Sequence, residues 1–154
     1  MSVADGTLAG MTNQASDQHR SVTITRTSAG KFRATNARGG TFDFGSGGDD
    51  QFTPVELLLT AIAGCTGIDV DIFTTRRSEP ATFEVTAGGE KLRDEQGNHM
   101  GPIDISFHVT FPDGAEGDAA REVLPDAIRK SHERLCTVSR TVMLPTEVTT
   151  HQVD

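Results

Sequence analysis

The stretch TPVELLLTAIAGCTGIDV, Thr53 to Val70, decides the fold. Thr53 is a good helix N-cap, Pro54 suits the first helical position, and Glu56 completes a Thr-x-x-Glu capping box. The run predicts a helix reaching about Arg77, where two arginines favour the negative end of the helix dipole and Glu79-Pro80 then ends it. Leu58, Ala61, Ile62, Cys65, Ile68 and Ile72 make one apolar stripe, and Val55, Leu59, Ala63, Val70 and Phe73 cover much of the other side. A helix apolar nearly all round is buried nearly all round. One sheet can cover only one of its sides. The other side calls for a partner, either a second copy of the same helix or the chain's own second helix. Gly64 and Gly67 each cost a helix interior about 1 kcal/mol relative to alanine, and a closely approaching partner would account for both.

Working outward, SVTITR (Ser21–Arg26) alternates with period two and GKFRAT (Gly30–Thr35) is its hairpin partner. GGTFDF (Gly39–Phe44) is a third strand, and GSGGDDQ (Gly45–Gln51) is a loop without the spacing of a phosphate-binding turn. Beyond the helix, TFEVTAG (Thr82–Gly88) and IDISFHVTF (Ile103–Phe111) alternate as strands. RDEQGNHMGP between them reads as a turn or loop, with a short strand at Glu90–Arg93 extending the first of the pair. GDAAREVLPDAIRKSHERL (Gly117–Leu135) is a second amphipathic helix, which Pro125 is expected to kink or divide. TEVTTHQV (Thr146–Val153) closes the chain as a strand. The order β-β-β-α-β-β-α-β is α+β, not an alternating parallel-sheet pattern.

The length, 154 residues, fits a single domain over residues 21–154 behind a flexible lead at residues 1–20. A net charge of −8 argues against a dedicated nucleic-acid binder, which needs a basic face. No run of 18 apolar residues predicts a membrane span, and the N-terminus lacks the cationic start and apolar core of a secretory signal. The expectation is a cytoplasmic protein. In that setting two cysteines are free thiols or a catalytic pair rather than a structural disulfide. Cys65 alone would read as a small buried hydrophobe. Cys136, just past the second helix in ERLCTVSRT, opens the possibility of a redox pair. His132 lies one helical turn before Cys136, a spacing that suits a metal or an activated thiol. Zinc would need two further ligands, and an exposed helix histidine is the simpler account. No metal or cofactor is expected.

TPVELLLTAIAGCTGIDV and SHERLCTVSRTV together resemble the two cysteine motifs of the OsmC/Ohr superfamily, the osmotically inducible protein C and organic hydroperoxide resistance proteins. The resemblance covers roughly Val22 to Val153, and the order of strands and helices fits it. It implies an intertwined homodimer in which two cysteine-bearing helices pack centrally, flanked by mostly antiparallel sheets. It also implies a thiol-dependent peroxidase for organic hydroperoxides, with Cys65 peroxidatic and Cys136 resolving, serving oxidative-stress defence and recycled by a dithiol reductant.

Members of the superfamily lower the thiol pKa with an arginine from the N-terminal hairpin region, oriented by a glutamate near the start of the cysteine helix. Arg33 and Arg38 are the nearest candidates here, with Arg26 and Arg140 behind them. In the hydroperoxide resistance branch the acid directly follows the helix-initiating proline. Val55 holds that place here and the acid is Glu56, so P-x-E-L-L-L…G-C looks more like the less characterised YhfA-like branch. Glu56 is therefore either a helix cap or the orienter of the arginine. Two other functions stay open: a dimer that binds a small ligand without turnover, and a thiol sensor.

Overall fold

The computed structural model describes residues 18–154, so the lead read at residues 1–20 lies outside them up to residue 17. The chain forms two compact units that meet in sequence at Thr53 and Pro54.

The first unit is an antiparallel sheet of three strands in sequence order, β1 (Val22–Ser28), β2 (Lys31–Asn36) and β3 (Thr41–Gly45). Gly30 at φ 67° makes the tight β1–β2 turn that a side chain would resist. Phe32 faces Phe44 across β2 and β3, and their rings stack with centroids 5.8 Å apart. Ala34 and Phe44 are the buried apolar positions of this sheet, whereas β1 is exposed along its whole length.

The second unit is built on helix α1 (Pro54–Thr75). Strands β4 (Thr82–Gly88) and β7 (Asp104–Thr110) pair antiparallel, with Phe83, Val85 and Ala87 opposite Val109, Phe107 and Ile105 on the half-buried face. Strict alternation fixes which face turns inward. Gly67 of α1 lies against this pair: a Cβ added there would sit 3.4 Å from a methyl of Val85 and 3.8 Å from the Phe83 ring. Ile62, Thr66, Val70 and Thr74 recur every fourth residue and are buried, so this stripe faces the unit's own core. On the opposite side Ile68 is 62% exposed and Ile72 48% exposed, and a Cβ on Gly64 would touch nothing. By length and composition α1 is apolar enough to cross a membrane, as a core helix can be; here its inner stripe packs against β4 and α2 (Ala115–Lys130).

Four expectations are corrected. The segment between β4 and β7 is not a loop with an extension of β4, but a separate hairpin of β5 (Lys91–Asp94) and β6 (Gly97–Met100). Its turn is made by the Asp94 carboxylate, which accepts the N–H groups of Gln96 and Gly97, with Gly97 at φ 128°. Pro125 does not divide the second helix: α2 runs through it. Its position is exposed, where a carbonyl deprived of its N–H partner can turn to water. The irregularity comes later, as a π-helical turn at Ser131–Leu135, followed by a short helix α3 (Thr137–Met143). Residues 146–154 carry no strand, and Val148 and Val153 stand 85% and 88% exposed. With those changes the architecture is α+β with antiparallel sheets.

Candidate functional site: two thiols at the start of α3

Cys65 sits in the middle of α1 and is partly buried; Cys136 is fully buried between the π-helical turn and α3. Both belong to the second unit, and both are free thiols. Far apart in sequence, they are brought together by the packing of α1 against α3, close enough for Cys136 to act on the Cys65 thiol.

The geometry at Cys136 follows from how the second helix ends. An α-turn would give the Ser131 carbonyl to residue 135; here the Cys136 N–H takes it instead, at 3.0 Å, five residues on. Cys136 then turns extended, at φ −69° and ψ 101°, and becomes the N-cap of α3. Its Sγ accepts the Ser139 N–H at 3.3 Å and donates to the Ser139 Oγ at 3.2 Å. Ser139 is itself buried, so Cys136 is enclosed by groups that satisfy it. One residue earlier, the Val138 N–H lies near enough to the Cys65 sulfur to favour its thiolate. The first turn of α3 thus sets a backbone N–H beside each thiol.

Burial pushes the Cys65 thiol pKa above its ordinary value, and the hydrogen bond and charge of Cys136 and the carboxylate of Asp69 push the same way. The Val138 N–H opposes them, since a donor favours the thiolate. Among the groups of the second unit that act on this sulfur there is no cation.

The remaining residues singled out from sequence lie elsewhere. Arg33 and Arg38 belong to the first unit. Arg33 holds Asp43 across β2 and β3 with two bonds, Nε to Oδ1 at 2.7 Å and Nη2 to Oδ2 at 2.9 Å. This pair raises the arginine pKa and lowers that of Asp43, although both are exposed. Arg38 stands exposed in the β2–β3 turn, its N–H on the Asn36 side chain. Arg26 lies on exposed β1. Glu56 is exposed in the first turn of α1, and its carbonyl accepts the Thr60 hydroxyl at 2.8 Å. On a regular helix it lies about two and a half turns before Cys65, on the opposite side. Arg140 is exposed on α3, with its backbone N–H on the Cys136 carbonyl. His132 is exposed in the π-helical turn.

Sequence reasoning passed over Asp69, Ser131, Ser139 and the Val138 N–H. Asp69 alone left a signal, since it stands one helical turn beyond Cys65 and so shares its face.

The α+β frame that carries these thiols is that of a known family. The chain matches the OsmC-like protein family over residues 47–151, most of its length, and it belongs to that family. It is 32% identical over 96 residues to the protein YhfA of Escherichia coli strain K12, an alignment covering 62% of this chain and 67% of YhfA, which is the branch its cysteine-helix motif resembles. An OsmC-like protein of unknown function from Vibrio cholerae shares the fold with a TM-score of 0.65 at 14% identity, covering 81% of this chain and 94% of that one. The organic hydroperoxide resistance protein OhrB of Bacillus subtilis shares it with a TM-score of 0.52 at 20% identity, covering 81% and 90%.

Proposed function

We propose that this protein is a thiol peroxidase that reduces organic hydroperoxides, with Cys65 as the attacking thiol and Cys136 as the resolving one. The observation that carries this reading is the approach of two free thiols that the sequence separates widely, near enough for Cys136 to push the Cys65 pKa up, in a chain of the OsmC-like family. The Cys65 thiolate attacks the distal oxygen of the hydroperoxide. The O–O bond breaks, the alkoxide takes up a proton and leaves as the alcohol, and Cys65 becomes a sulfenic acid. Cys136 then attacks that sulfur. Its proton leaves with the displaced hydroxyl as water, and the Cys65–Cys136 disulfide forms. A dithiol reductant returns both thiols and is itself oxidised to a disulfide.

Several features support the choice of substrate and assembly. Organic hydroperoxide resistance proteins share this fold. The side of α1 that carries Gly64, Ile68 and Ile72 is apolar and open, which favours a substrate with an organic tail. The same open face is the natural seat of a second α1, so the working form is a homodimer. Sedimentation at micromolar protein is expected to give a dimer, and Gly64→Leu to give monomer or misfolded protein; a stable wild-type monomer would remove this part. Arg33 and Arg38 are the candidate activators of Cys65, with Glu56 as the acid that orients one of them.

One observation favours a second reading. The neighbours of Cys65 within its unit hold the thiol in its protonated form. That suits a ligand-binding or sensing dimer as well as an enzyme. Cumene hydroperoxide consumption with a dithiol reductant separates them. Sustained turnover, with mass spectrometry showing the Cys65–Cys136 disulfide in the oxidised protein, is the result expected of the peroxidase. Consumption of one equivalent marks a sensor, and two free thiols after excess peroxide leave only the binding dimer.

A further inference from the structure

We infer that Asp69 is a positioning residue for the thiol pair: through Ser131 it holds the π-helical turn that brings Cys136 onto Cys65. The inference rests on the reading of Cys65 and Cys136 as a working pair.

Ser131 Oγ donates to Asp69 Oδ2 at 2.8 Å, and lies 2.8 Å from the Thr66 Oγ1. A carboxylate only accepts, and a serine has one hydroxyl proton. Ser131 therefore gives its proton to Asp69, and Thr66 gives its own to Ser131. Thr66 is 3% exposed and Ser131 0% exposed, so the bond between them is shut off from water, while the bond to half-buried Asp69 is closed to water on the Ser131 side.

Ser131 is held at both ends. Its side chain is tied to α1, and its main-chain carbonyl takes the N–H of Cys136 five residues on, at 3.0 Å. Cys65, Thr66 and Asp69 lie within one turn of the same helix. One turn of α1 thus carries the attacking thiol and also the anchor for the segment that delivers its partner. The distance from Cys65 to Cys136 is set by two side-chain bonds and one main-chain bond, with no long loop between.

The carboxylate has a second effect. Its negative charge stands near the Cys65 sulfur and disfavours the thiolate, in the same direction as the hydrogen bond and charge of Cys136, the other ionisable group acting on it. Position and charge can be separated by substitution. Asparagine keeps an oxygen for the Ser131 hydroxyl and loses the charge; alanine loses both.

The test is the equilibrium between the dithiol and the Cys65–Cys136 disulfide of the full chain in mixtures of reduced and oxidised dithiothreitol, together with the pH profile of Cys65 alkylation. Ser131→Ala and Asp69→Ala are expected to lower the tendency to form the disulfide by on the order of tenfold, as loss of a part-buried hydrogen bond to a charged group should. Asp69→Asn is expected to stay within about threefold of wild type in that equilibrium, and to alkylate about threefold faster at pH 7 with its midpoint moved down. Ser131→Ala and Asp69→Asn are small changes and carry the test if Asp69→Ala does not fold. Disulfide equilibria unchanged in Ser131→Ala, or an Asp69→Asn protein that is folded but as impaired in pairing as Ser131→Ala, would overturn the inference. Dithiothreitol needs no peroxide, so a protein that shows this pattern yet consumes no hydroperoxide sinks the peroxidase reading alone.

Discussion

Cys65 and Cys136 carry the same functional group and lie close enough for one to act on the other, yet they sit in opposite surroundings. Cys65 is partly buried in the middle of a long helix, beside a carboxylate on that helix, and next to the apolar surface that α1 leaves open at Ile68 and Ile72. Cys136 is sealed at a junction between two short helical segments, with Ser139 serving both its donor and its acceptor capacity. On the proposed peroxidase reading, the difference teaches how one pair of thiols would divide two tasks. A thiol that must meet a substrate needs an approach from outside. A thiol that must meet only the first thiol needs fixed geometry and protection from everything else.

The sharpest way to break this contrast is to remove the thiols one at a time. Cys65→Ser is expected to abolish hydroperoxide consumption. Cys136→Ser is expected to allow one event and leave a Cys65 sulfenic acid, detectable with a dimedone-type trap. Loss of the first event in both variants would mean the two sites are not divided in this way. A smaller effect is expected from alkylation of the native reduced protein. Iodoacetamide should modify Cys65 at least about tenfold faster than Cys136, with the difference vanishing in denaturant, because burial limits access. Mass spectrometry of digested samples over time measures both rates at once.

The arginines come next in size. If a guanidinium from the first unit or from a second copy of the chain offsets the neighbours that keep Cys65 protonated, Arg38→Ala or Arg33→Ala should slow its alkylation at pH 7 by a few-fold. Arg33 already holds Asp43, so its removal should also loosen the β2–β3 pairing slightly, whereas removal of exposed Arg38 should not. Wild-type alkylation rates in both variants would exclude the pair. The smallest effect is on stability. The folded protein holds the Cys65 proton to higher pH than the unfolded chain does. Above the ordinary thiol value, about 8.5, the unfolded chain therefore binds fewer protons and stability falls as pH rises, while below it nothing changes. Denaturation midpoints of the reduced protein across that range should fall more steeply than those of Cys65→Ser.

Much of the frame was legible because it depends on local patterns. The period-two runs of Thr82–Gly88 and Ile103–Phe111 became β4 and β7, and Thr53-Pro54 with the apolar run behind it announced α1. What escaped lacks a local signature. GNHM has little of the β-branched or aromatic character that marks a strand, and β6 owes its pairing to the turn that Asp94 and Gly97 build. TEVTTHQV has strand character and forms no strand in this chain, since alternation states which face could be buried and not where a neighbouring edge is found. Pro125 was overrated as a breaker, because one missing N–H on the exposed side of a packed helix is a local loss. The site was legible to the extent that chemistry needs rare residue types. The two cysteines stood out, while Ser131 and Ser139 look like any other serines until packing encloses them.

The π-helical turn has a consequence best put in terms of chain length. Such a turn holds one residue more than the α-helical turn it replaces. Every residue after Leu135 is therefore displaced by one step, about 100° of rotation and 1.5 Å of rise, from where an uninterrupted helix would put it. The approach of Cys136 to Cys65 is made with that extra residue in place. The segment Ser131–Leu135 should then accept many substitutions at exposed His132, Glu133 and Arg134, and not accept the loss of any one of them. Relatives that shorten this segment by one residue while keeping both cysteines would have to bring their thiols together by another route.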